Sequence, residues 1–195
     1  MRLSNIKLYQ NLFTKAFPKA TSPISFTNIK TAIGAFERTL VTPSRFDEFV
    51  QGNNNALTNK EKQGLALFVK TGCTSCHNGK LLGASSYQKF GVTANYWDYT
   101  NSKKRDKGRF AVTGNQGDSY VFKVPSLRNV NETYPYFHDG SVEKLSDAVW
   151  IMARVQLDKD LSEEDVDLIV KFLETTTGSL QVDKQTPTPK LAQNI

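Results

Sequence analysis

Cys73, Cys76 and His77 stand within five positions of one another in TGCTSCHNGK, and they are the chain's two cysteines and one of its two histidines. A thiol pair and an imidazole at this spacing admit four chemistries. A zinc site needs four ligands and finds only His138 to add, which leaves it one short. A thioredoxin-type redox disulfide belongs after a strand in a βαβ unit, whereas the residues before Cys73 read as a helix. A structural disulfide would close too short a loop to stabilise much. The remaining use is C-x-x-C-H, in which two thioethers hold a haem and the adjacent imidazole ligates its iron. One helical turn carries all three groups, and covalent bonds retain the haem even in a modest core. A chance dithiol or metal site is the alternative. Attachment of this kind follows export, so the expected location is periplasmic, with a signal segment that this chain does not carry.

The group on the other side of the iron decides between an open site that activates peroxide or oxygen and a closed one that passes electrons. Met152 is the one methionine besides Met1, and His138 is the one other histidine. Met152 lies on the apolar face of a helical segment, where a thioether also serves as a gap filler. His138 lies in the turn-like PYFHDG, where an imidazole also serves as a hydrogen-bonding cap. Met152 is the preferred ligand and His138 the second choice.

Several elements must position these groups. Ile6, Leu8, Leu12, Phe13 and Phe17 form a helical stripe that Pro18 ends. Thr27 is the expected cap of a second helix with Ile29, Ile33, Phe36 and Leu40 on one face, closed by Pro43. A short turn of helix follows over Arg45 to Gln51. Thr58 and Glu61 make a capping box for a helix bearing Leu65, Leu67 and Phe68, which runs up to the cysteines. From Gly79 to Asn129 the periodicity fades into a long loop of the kind that wraps a ligand, with no convincing strand pair. Leu145, Ala148, Val149, Met152 and Val155 share the face of a further helix, and Ser162 caps the last one before Gly178. Helical phase places Phe68, Leu145 and Trp150 around the pocket. Residues 1–57 thus read as a helical extension packing on a domain over 58–181, and 182–195 as an extended or disordered tail.

The bulk numbers are compatible with this plan. Lys and Arg total 25 against 19 Asp and Glu, a net charge of +6 that would steer an acidic partner, but no nucleic-acid-binding motif accompanies it. No apolar run approaches membrane-spanning length.

Four stretches in order, GCTSCHNG, FKVPSLRNV, TYPYFHDGSVEKLSDAVWIM and LSEEDVDLIVKFL before TTTG, resemble the carboxy-terminal haem domain of bacterial di-haem cytochrome c peroxidases. AIGAFERTLVTPSRFDEFVQG and LTNKEKQGLALF upstream fit as well, so the resemblance spans about residues 5–180. It implies an all-α, cytochrome c-like haem domain with a long irregular loop and an amino-terminal helical extension. It also implies one covalent haem c, high in potential, with His77 and Met152 as its ligands. Backbone oxygens of Thr133 and Pro135 would help hold a calcium ion at the domain boundary, and Arg128 and His138 would lie near the haem edge or its propionates. A related branch replaces the methionine by tyrosine and oxidises protein side chains, and the methionine in VWIMA argues against that branch.

The family's second CxxCH, in an amino-terminal domain where peroxide meets a low-potential haem, is absent from these residues. The chain therefore resembles the electron-transfer part of a cytochrome c peroxidase. It would take electrons from a small cytochrome c or cupredoxin and pass them to the missing peroxidatic domain, and it would pair as a homodimer. The rival readings are a free-standing monohaem c-type electron carrier and an interaction module that uses the dithiol without haem.

Overall fold

Polar caps set where most helices of this chain begin. In the computed structural model, which describes residues 2–180, seven α-helices account for most of the regular structure. The first two are α1 (Lys7–Ala16) and α2 (Phe26–Glu37). Ser25, not Thr27, caps α2: its hydroxyl accepts the Asn28 N–H at 3.2 Å, and Thr27 already lies inside the helix. A capping box of Ser44 and Asp47 opens α3 (Arg45–Val50). The expected box of Thr58 and Glu61 opens α4 (Asn59–Thr71), with the Glu61 carboxylate accepting the Thr58 N–H at 2.7 Å.

The long loop carries a short α5 (Phe110–Thr113) and, against expectation, a strand pair. β1 (Tyr87–Lys89) and β2 (Val121–Lys123) are antiparallel, with Gln88 opposite Phe122. Strands of three residues are too short for alternation to register in a sequence, and their pairing is long-range. The last helices are α6 (Leu145–Leu157) and α7 (Glu163–Glu174). Ser162 caps α7 as expected, and Glu163, Glu164 and Asp165 oppose the helix dipole in its first turn.

The chain divides into two compact units, one over residues 43–179 and the other comprising, among the described residues, 2–42 with Leu180. In the second of these, α1 and α2 bury no residue, and Phe26, Ile33 and Phe36 are exposed. The other unit begins at Pro43. α3 belongs with α4 because Arg45 reaches the Glu61 carboxylate at 3.0 Å and Asp47 pairs with Arg128. The tail expected over 182–195 lies outside the described residues.

Within residues 43–179, α4 crosses α7 so closely that a Cβ on Gly64 would collide with the Leu168 carbonyl. Phe46 and Phe68 pack their rings on Phe172 at 5.4 and 5.2 Å between centroids. Phe68, Ile169, Phe172 and Leu173 are each at most 3% exposed. Burial of such side chains is worth roughly 1.5–3 kcal/mol apiece. α6 completes this core through Ala148, Ile151 and Val155.

Candidate cofactor site

α4 ends at Gly72, whose φ of 103° is open to glycine and awkward for other residues. This stop turns the chain straight into a single 3-10 turn, Cys73–Ser75. Cys73 O accepts from the N–H of Cys76 at 3.3 Å and of His77 at 2.9 Å. The two sulfurs and the imidazole are therefore carried by one turn, as the spacing requires.

Both cysteines are free and half-buried. Burial pushes the Cys73 thiol up to about 11, so it stays protonated at neutral pH. That is the reverse of what a zinc ligand or a redox nucleophile needs, and it suits a sulfur destined for an uncharged thioether. Among the described residues, no three His, Cys, Asp or Glu side chains gather as a metal-binding group.

His77 is 8% exposed, and burial lowers its pKa, keeping the ring neutral. Its Nδ1 lies 3.2 Å from the Leu82 carbonyl. A carbonyl can only accept, so this contact assigns the proton to Nδ1 and leaves the lone pair on Nε2. Metal-bound histidines are held in this way, because donation from one nitrogen orients the ring and raises the basicity of the other.

Cys73, Cys76 and His77 line one wall of a cavity of about 380 Å³, within the size range of cofactor sites. α6 forms the facing wall with Leu145, Ala148, Val149, Met152, Ala153 and Gln156. These recur at helical spacing, so Leu145, Ala148, Val149 and Met152 of the expected stripe face the cavity, whereas Val155 is buried in the core instead. His138 lines it too, its ring stacked on Phe122 at 4.1 Å and set edge-on to Tyr96 at 5.4 Å. Thr133 and Pro135 are part of the same lining. The expected neighbours Phe68 and Leu145 also line the cavity.

Two expected neighbours fall elsewhere. Trp150 is 36% exposed and faces a groove with Asp147, Glu163 and Val166, because it sits on the opposite side of α6 from Met152. Arg128 does not line the cavity. Its guanidinium is bidentate on Asp47, at 2.7 Å in both bonds, and its Nε donates to the Lys80 carbonyl at 2.9 Å. For Asp47, burial raises the pKa, but the hydrogen bonds from Arg128 and Ser44 outweigh this and hold the carboxyl below its usual range.

Gln156 was not singled out in the sequence. Its Oε1 accepts from Gly91 N–H at 2.6 Å and its Nε2 donates to the Lys89 carbonyl at 3.0 Å, which ties the end of α6 to the loop after β1. A polar residue four places after Met152, on an otherwise apolar stripe, was the available signal. The Leu82 and Pro125 carbonyls carried no such signal, since any residue has one.

The chain as a whole has similar proteins among those known. A family model described as di-haem cytochrome c peroxidase matches residues 1–55. The cytochrome c551 peroxidase of Pseudomonas aeruginosa is 49% identical over 177 residues, which are 90% of this chain and 51% of that protein. The cytochrome c peroxidase Ccp of Escherichia coli is 42% identical over 85% of this chain and 35% of its own length. The crystal structure of a MauG-like protein associated with microbial copper homeostasis superposes with a TM-score of 0.70 at 28% identity, covering 91% of this chain and 61% of that one. The chain spans about half the length of the Pseudomonas relative. By matched residues, identity and fold, this chain is similar to the di-haem cytochrome c peroxidases.

Proposed function

We propose that residues 43–179 hold one covalent haem c and that the chain is the electron-entry part of a di-haem cytochrome c peroxidase. The observation that carries this reading is the His77 ring. Its Nδ1 is committed to a backbone carbonyl, and the residue opens onto the cavity that Cys73, Cys76 and Met152 share. Cys73 and Cys76 would anchor the group by thioethers, and His77 Nε2 and Met152 Sδ would hold its iron. Bound there, it would supply one-electron redox chemistry.

The chain's own residues would set the conditions for that chemistry. Met152, as a ligand, would deny peroxide a place at the iron, and its soft sulfur would favour the reduced state. Phe68, Leu145 and Val149 line the cavity with apolar surface, which would lower the dielectric around the group. His138, with its ring face packed on Phe122, serves as wall and edge partner, which favours Met152 over it as ligand. Arg128 is spent on Asp47 and Lys80 and takes no direct part in holding the group.

In the complete protein, a small cytochrome c or cupredoxin would deliver electrons, and hydrogen peroxide would be reduced at a second haem on an amino-terminal domain. Relatives named cytochrome c peroxidase at 42–49% identity support that reading. The reading extends to a periplasmic location, pairing of two copies, and a calcium ion at the Thr133 and Pro135 carbonyls. Among the described residues, no helix is long and apolar enough to cross a membrane.

The test is the chain produced in a host that exports and matures c-type haem. Its mass should rise by one haem, and its colour should survive acid–acetone extraction. Its ferric spectrum should carry the weak red-end band of a methionine ligand. A colourless product, or iron that readily binds cyanide, defeats the reading.

A further inference from the structure

Arg128 lies off the cavity, yet it is one end of a clasp on the loop that meets His77. Three successive residues capture three successive carbonyls. Arg128 Nε donates to Lys80 at 2.9 Å, Ser126 Oγ to Leu81 at 2.7 Å, and the Leu127 N–H to Leu82 at 3.2 Å. The last of these carbonyls is the one that also faces His77 Nδ1.

The clasped loop is folded against its own preferences. Leu82 and Ala84 have φ of 49° and 65°, in the left-handed region that side chains disfavour. Such conformations persist where surrounding contacts over-determine them. Gly83 between them lies so near the Pro125 carbonyl that a Cβ would collide with it. The clasp is in turn anchored at the start of α3, where Arg128 is bidentate on Asp47 and donates to Ser44 Oγ at 3.1 Å. A guanidinium fork on a carboxylate fixes direction as well as distance, which a lysine cannot reproduce.

We propose that Arg128, aimed by Asp47 and assisted by Ser126, is a positioning residue that sets the strength of the His77 Nδ1–H to Leu82 hydrogen bond and thereby tunes the axial imidazole. The inference rests on the haem reading above. A strong bond at Nδ1 makes Nε2 the more basic donor, which favours ferric iron and lowers the reduction potential. Release of the loop lets Leu82 relax to negative φ, swings its carbonyl off the ring and raises the potential.

Four full-length chains test this: the parent, Arg128→Lys, Ser126→Ala and Arg45→Lys. Arg128→Lys keeps the charge and loses the fork, while Ser126→Ala removes the hydroxyl that donates to Leu81 and accepts the Arg128 N–H at 3.1 Å. Arg45→Lys disturbs the other ion pair of α3, which does not touch the Lys80–Leu82 loop. Redox titration should show a higher potential for Arg128→Lys and Ser126→Ala, with the methionine band kept, and the parental value for Arg45→Lys. In the haem-free chains, the His77 Nδ1 proton should exchange faster with solvent in the first two variants, as followed by NMR. Parental potentials in both clasp variants, or an equal rise in Arg45→Lys, overturn the proposal while the haem reading stands. A parent that takes up no haem brings down both.

Discussion

His77 reaches the cavity from a loop whose backbone is held in unfavourable conformations, whereas Met152 reaches it from the middle of a regular helix. The His77 side depends on directed hydrogen bonds: Leu82 sits at φ 49°, and the 126–128 segment grips the carbonyls around it. The Met152 side depends on phase and packing, since α6 presents Ala148, Met152 and Ala153 on one face while Ile151 and Val155 bury on another. The two constructions suit two tasks. On the proposed reading, a strained, clasped loop would fix one ring nitrogen within a narrow angle, and a flexible thioether on a helix would adjust to close the opposite side.

The comparison is broken most completely by removing the sulfurs on the His77 side. Cys73→Ala with Cys76→Ala should abolish haem that survives acid–acetone extraction. Met152→Ala attacks the helical side and should keep the haem attached, lose the red-end band and open the iron to cyanide, as followed by absorbance. Gly83→Ala strains the loop at φ 125° and drives a Cβ into the Pro125 carbonyl, so it should destabilise the protein by about 2–3 kcal/mol in urea unfolding. Gln156→Ala frees the end of α6 from Gly91 and Lys89 at a cost of about 1 kcal/mol, and should weaken the methionine band without abolishing it.

The smallest effect sharpens the comparison by lying away from both walls. The Arg45 hydrogen bonds lower the Glu61 pKa from 4.5 to about 2. A depressed carboxyl stabilises the fold above its unfolded pKa, and that contribution is lost as pH falls from about 4.5 through about 2. Arg45 is half exposed, so the pair should contribute under about 1 kcal/mol. Glu61→Gln should flatten the acid limb of stability measured across that range and leave the potential unchanged.

Helix caps and stripes were largely legible in the sequence. Thr58 with Glu61, Ser162, and the Met152 face of α6 appear where local patterning put them. Thr27 was the wrong cap, because Ser25 two residues earlier offers the same hydroxyl. The sequence did not show that α3 is joined to the larger unit by side-chain pairs from distant segments. Gly64 looked like an unremarkable helix glycine, and its role becomes visible only where α7 crosses it. Trp150 shows the limit of counting phase by eye, since a helix turns about 100° per residue and two positions carried it from the Met152 face to the groove side.

By itself the sequence determined which groups are available for chemistry: two thiols and an imidazole within one turn, and a thioether at the right phase of a later helix. These are properties of neighbours, fixed by helical geometry. Only the tertiary structure decided that Arg128 leaves the cavity for Asp47, 81 positions away, and grips the Lys80 carbonyl, 48 positions away. It likewise chose, among many identical carbonyls, the one on Leu82 to face His77. Contacts of that range follow from how the elements pack, and no local pattern of residue types encodes them.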